Sequence, residues 1–66
     1  MDPDETLRLI QEELMSEEGP DLHCFDLYCW LERGGFEPTW YRYPSATGYY
    51  KCFAAQQKRR EVKKHD

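Results

Sequence analysis

Three cysteines, Cys24, Cys29 and Cys52, and two histidines, His23 and His65, are the side chains here with the chemistry for a metal site or a nucleophilic thiol. Their spacing argues against both. Cys24 and Cys29 lie in a stretch that reads as helix, about 140° apart around its axis, so their thiols diverge. Structural zinc pairs instead place two cysteines close together in a turn. His23 immediately precedes Cys24, and neighbouring helical side chains point about 100° apart, which misplaces the imidazole as a base for the thiol. No Asp or Asn stands out to orient the histidine, and no glycine-rich loop is present to cradle phosphate. The expectation is no cofactor, no metal and no enzymatic activity, with the cysteines packing as small apolar residues.

A second group has chemistry of a different kind. Tyr41, Arg42, Tyr43, Tyr49, Tyr50 and Lys51, with Trp40, gather aromatic rings and cations in a short stretch. Exposed aromatic and Arg side chains are the usual anchors of protein interfaces. The same composition can stack single-stranded nucleic acid. A small domain can also spend such rings on its own core, with tyrosine hydroxyls reaching water. We take Tyr41, Arg42, Tyr43, Tyr49, Tyr50 and Lys51 as the expected partner-binding residues, with a protein as the partner. The alternatives are a nucleic-acid module using Trp40, Tyr41, Tyr43 and the Lys58–Lys64 tail, and a homo-oligomeric structural component.

The elements that position these residues follow from pattern and punctuation. Asp2 suits an N-cap, Pro3 the first helical position, and Glu5 the third residue of a capping box. Leu7, Ile10 and Leu14 then repeat at helical spacing, predicting a first helix from about Pro3 to Met15. Gly19-Pro20 breaks it, and the short link implies that a second helix folds back on the first. That helix runs from Pro20 or Asp21 to about Arg33, with Leu22, Phe25, Cys29 and Trp30 on its apolar side, and ends at Gly34-Gly35. Thr39–Tyr43 and Tyr49–Phe53 are rich in β-favouring residues around the turn-like Pro44–Gly48, which predicts a β-hairpin laid across the helices. The expected fold is therefore α+β: one domain over residues 1–53, and a basic, partly helical extension over 54–66 that frays towards His65 and Asp66. The expected core is Leu7, Ile10, Leu14, Leu22, Phe25, Cys29, Trp30, Phe36, Trp40 and Phe53.

With 66 residues there is room for one small domain, whose core is marginal. The net charge is −4, and its distribution is uneven. Residues 1–21 carry eight carboxylates against Arg8 alone, while residues 58–64 carry five Lys or Arg against Glu61 alone. An acidic whole repels phosphate and disfavours generic duplex binding, although the basic tail can meet an acidic surface on the same or another molecule. Three cysteines make a poor disulfide framework. No apolar run approaches the ~20 residues that span a membrane, and the acidic start is the reverse of a signal peptide. The expectation is a cytoplasmic protein with free thiols and no membrane partner.

The stretch Trp30-Leu31-Glu32-Arg33-Gly34-Gly35-Phe36-Glu37-Pro38-Thr39-Trp40 resembles a pattern in small acidic proteins of actinobacterial phages, mycobacteriophages especially. The likeness extends to residues 4–29 only in general character, and the segment after Tyr41 departs from it. As a class, small phage proteins often act by binding a host protein and altering or blocking it. The resemblance thus implies a phage-type accessory protein in the host cytoplasm whose partner is a host protein.

Overall fold

In the computed structural model, which describes residues 1–63, the chain is built from three α-helices and one short 3-10 turn. The helices are α1 (Pro3–Glu13), α2 (Asp21–Glu32) and α3 (Pro44–Lys63), and the 3-10 turn is Trp40–Arg42. The first two fall where punctuation places them. Asp2 accepts the backbone N–H groups of Asp4 (3.0 Å) and Glu5 (3.4 Å), and Pro3 opens α1. The reciprocal half of the capping box does not form. Glu5 turns outward to Arg8, which also bridges to Glu12.

The end of α2 shows why two glycines follow it. The Gly34 N–H donates to the Leu31 carbonyl and the Gly35 N–H to the Trp30 carbonyl, closing the last turn with paired bonds. Gly34 takes φ +89°, a left-handed conformation that other residues reach only with strain. Gly35 lies flat against the Trp30 indole, where any Cβ would collide with the ring. The indole is then fixed by an edge-on contact with Phe36 and by donating Nε1–H to the Phe36 carbonyl (2.9 Å).

The α+β expectation fails at residues 39–53. Among the described residues there is no strand: Trp40–Arg42 is a 3-10 turn, and Tyr49–Phe53 lies inside α3. The preference of Tyr, Thr and Phe for strands spans only about 1 kcal/mol and yields to packing. Three features favour the helix. Pro44 sits at its first position, where a fixed φ and a missing N–H cost nothing. Ala46, Tyr50, Phe53 and Ala54 recur at 3–4 residue spacing and face the core. The segment from Ala54 onward is rich in strong helix formers, so α3 runs unbroken through residues 53 and 54. The expected fraying at His65 and Asp66 lies outside the described residues.

Three contacts between distant parts fix the helix directions. His23, early in α2, meets Glu13 at the end of α1, so these two helices are antiparallel. Tyr49 donates its hydroxyl to Asp21 (2.5 Å) and Tyr28 to Glu61 (2.9 Å), so α2 and α3 run in the same sense. The core between the three helices is Leu7, Ile10, Cys24, Leu27, Tyr28, Ala46 and Tyr50. Trp30, Leu31, Trp40, Tyr43, Phe53 and Ala54 close around it.

The expected core is right for Leu7 and Ile10 and misplaced on α2. Leu22 and Phe25 face solvent, as does Phe36 in the following loop, while Leu14, Cys29, Trp30, Trp40 and Phe53 are half-buried. α2 is apolar on both sides, so either stripe supplies burial energy. The ridge Leu22, Asp26, Cys29, Arg33 carries two charges whose burial is costly. The opposite ridge Cys24, Leu27, Tyr28, Leu31 carries none, and it is the one that faces inward.

Leu27→Ala is expected to cost about 2–5 kcal/mol, the usual range for truncating a fully buried leucine. Leu22→Ala, on the exposed side of the same helix, is expected to stay within about 0.5 kcal/mol of the parent. Urea unfolding followed by circular dichroism separates the two, and equal midpoints would reverse the orientation of α2.

Candidate protein-binding face

The aromatic-basic residues singled out in the sequence are distributed by the helix period rather than gathered on one strand face. Tyr41 is 84% exposed in the 3-10 turn, with Arg42 beside it. Tyr43 is half-buried against the core. Tyr49 is partly exposed and tied to Asp21. Tyr50 is 5% exposed and stacks on Trp40, with ring centroids 5.5 Å apart. Lys51 is exposed and holds its ammonium 5.9 Å from the centre of the Trp40 ring. Only Tyr41 and Arg42 stand together as a projecting pair.

The thiols and imidazole are likewise separated. Cys24 is sealed in the core, Cys29 is half-buried on α2 and Cys52 is exposed on α3. Burial pushes the Cys24 thiol up to about 12, with the Asp21 and Glu13 charges adding to the effect, so it stays protonated at neutral pH. His23 is engaged by Glu13. Among the described residues no three His, Cys, Asp or Glu side chains converge as metal ligands. His65 lies outside the described residues.

A more coherent surface lies along the outer side of α2. Leu22 is 82% exposed and Phe25 45%, and Cys29 continues the line one turn on. Single exposed apolar residues are ordinary, whereas Leu22 and Phe25 with half-buried Cys29 form a continuous apolar line on one helix. Beside them the seam between α2 and α3 opens into a groove of about 530 Å³. Phe25, Tyr28, Cys29 and Glu32 line it from α2, Arg33 closes its end, and Gln57 and Glu61 line it from α3. A smaller hollow of about 160 Å³ continues the seam past Asp21, Tyr49, Cys52, Phe53 and Gln56.

At one end of the seam Tyr49 donates its hydroxyl to Asp21, and at the other Tyr28 donates to Glu61, so hydroxyl–carboxylate bonds span the two helices on either side of the groove. Burial, and then the bond to Glu61, pushes the Tyr28 phenol up to about 12. The bond to Asp21 does the same for Tyr49, and burial does it for Tyr50. All three are therefore neutral donors or packing groups at physiological pH. Carboxylates dominate the rim: Asp21, Asp26, Glu32 and Glu61 surround the apolar strip, with Arg33 and Arg60 at its edges.

Sequence reasoning assigned Leu22 and Phe25 to the interior and so missed this surface. The signal that finds it is Asp26 and Arg33 on the same helical ridge. Comparison of the chain with protein-family models, with curated proteins and with solved structures gave no match. No helix among the described residues is long and apolar enough to cross a membrane.

The raised tyrosines set an alkaline limit. In the unfolded chain a phenol titrates near 10, and in the fold Tyr28, Tyr49 and Tyr50 titrate at about 12. The folded state thus holds more protons between these values, and stability must fall as pH rises through that window. The stabilisation is full below pH 10 and lost by about 12. Urea midpoints measured from pH 8 to 12 are expected to drop steeply above 10, with a shallower drop for Tyr50→Phe. A flat profile would contradict the buried, neutral phenols.

Proposed function

We propose that this chain is a non-catalytic binding protein that captures a helix of a partner protein on the outer face of α2 and in the groove beside α3. The observation that carries the reading is the exposure of Leu22 and Phe25 on a helix whose opposite side fills the core. An amphipathic helix laid into an apolar groove is a recurring recognition mode, read through anchors spaced three and four residues apart. The carboxylate rim favours a helix with Lys or Arg flanking its apolar anchors and opposes acidic ones. The same rim disfavours nucleic acid at this face.

Other features support a binding role. The thiol next to His23 in sequence is buried and neutral, which leaves it without nucleophilic character. The free cysteines fit a reducing cytoplasm. The likeness of Trp30–Trp40 to small phage proteins supports a host protein as the partner and a reading as a phage-type accessory protein. Tyr41 and Arg42, on the 3-10 turn, offer a smaller contrasting surface.

The reading is tested by titrating isotope-labelled protein with a designed Leu/Lys amphipathic helix and with its Leu/Glu counterpart, followed by NMR. The Leu/Lys helix is expected to shift Leu22, Phe25, Cys29 and Gln57 and to bind at least about tenfold more tightly. Phe25→Ala is expected to lose about 2 kcal/mol of that binding, roughly thirtyfold, with the melting curve little changed. Shifts confined to Tyr41 and Arg42, or no saturable binding, would overturn the assignment.

A further inference from the structure

The charge of this chain is divided along the line of its fold. Residues 1–37, which contain α1 and α2, carry eleven carboxylates against Arg8 and Arg33, a net of −9. Residues 38–66, which contain α3, carry seven Lys or Arg against Glu61 and Asp66, a net of +5. Among the described residues no ion pair joins the two halves, although Arg60 of α3 stands at the edge of the α2 rim. Among the described residues every salt bridge lies inside the acidic half, joining Arg8 to Glu5 and Glu12, and His23 to Glu13.

The helix period explains why. With Ala46, Tyr50 and Phe53 turned to the core and Lys51 held over Trp40, Lys58 and Arg59 project from the outer side of α3, about 100° apart. They flank Ala55, whose small side chain lets another helix approach closely. This ridge points away from the acidic rim of its own α2 and can meet such a rim only on another molecule.

We infer that the α2 face takes the basic ridge of α3 from a second copy of this chain. The inference rests on the reading of the α2 face as a docking surface for a basic helix, and names the chain itself as the first such helix it meets. Asp26 and Glu32 lie about 120° apart around α2, on either side of the Leu22, Phe25 and Cys29 strip, and Lys58 and Arg59 lie about 100° apart around α3, on either side of Ala55, so cations meet both borders of the strip when Ala55 seats on it. Apposing two α2 faces would instead set carboxylate against carboxylate. Donor ridge and acceptor face lie on different helices, so each copy offers one of each to its neighbours. Assembly covers Leu22 and Phe25, and a partner helix must displace the neighbouring copy to bind. The device stores the protein with its apolar face covered.

The experiment is sedimentation equilibrium of the full chain across concentration and salt. The parent is expected to gain mass with concentration at low salt. Its association should weaken on the order of tenfold or more from about 0.05 to 0.5 M salt, as the screening length contracts from about 14 to about 4 Å. Asp26→Lys/Glu32→Lys and Lys58→Glu/Arg59→Glu, all at exposed positions, are each expected to be folded monomers. Mixed in equal amounts they are expected to associate, because each then supplies the charge that the other has lost. The Leu/Lys helix is expected to disperse the parent assembly.

A parent that stays monomeric at low salt overturns the inference and leaves the partner reading standing. Association that survives Lys58→Glu/Arg59→Glu but not Leu22→Asp also overturns it, in favour of symmetric α2 pairing. Association with the predicted charge rescue, but with no binding of the Leu/Lys helix to the dispersed monomer, supports the self-contact and overturns the partner reading instead.

Discussion

Tyr50 carries the junction between α3 and the rest of the molecule. Its ring is buried among Leu7, Ile10, Leu27 and Tyr28 and is covered from outside by Trp40. Once that side chain is inside, the helical period leaves no further choice. Ala46, Phe53 and Ala54 follow it inward, Lys51 comes to lie over Trp40, and Lys58 and Arg59 are thrown to the outer side. Leu27 plays the same part on α2, where its burial dictates the exposure of Leu22 and Phe25. Two buried side chains thus determine the location of both charged surfaces and of the apolar strip between the acidic groups.

A core of seven buried apolar residues is small, and chains of this length commonly lean on disulfides or a metal. The described cysteines are free, and polar bonds between distant segments hold the elements in place. Asp4, in the first turn of α1, accepts the Thr39 N–H and anchors the long loop that follows α2. Gln11 accepts the Ala46 N–H (3.1 Å), so α1 supplies the cap for the first turn of α3. Tyr49–Asp21 and Tyr28–Glu61 span the α2–α3 seam. Each such bond contributes about 1 kcal/mol net, which is a large share of the stability of a chain this short.

The first two helices were legible because their boundaries rest on local chemistry: Asp2 and Pro3 at one start, Gly34 and Gly35 at one end. Pro44 was legible too, and was read as part of a turn when it opens a helix. The error came from weighing the strand preference of Tyr49, Tyr50 and Phe53 above their 3–4 residue spacing with Ala46 and Ala54. The inward side of α2 was a harder question, since apolarity alone does not choose between two stripes. Asp26 and Arg33 do choose, because a stripe with no charge can be buried whole. The long-range partners of Tyr28 and Tyr49 leave no trace in the sequence; a hydroxyl finds its carboxylate only after the helices are placed.

The α2 face is specific through what it repels. Exposed Leu22 and Phe25 would by themselves attract any apolar surface, including the same strip on another copy. The carboxylates around them alter that outcome. Bringing two such faces together would desolvate Asp26 and Glu32 against their own kind, a like-charge cost that opposes the apolar gain. A neutral apolar helix escapes that repulsion but leaves the carboxylates partly buried and unpaired. Only a helix that brings cations to the rim satisfies both the apolar strip and its border. The acids that disfavour phosphate at this face would therefore also select among helical partners, favouring one that carries cations.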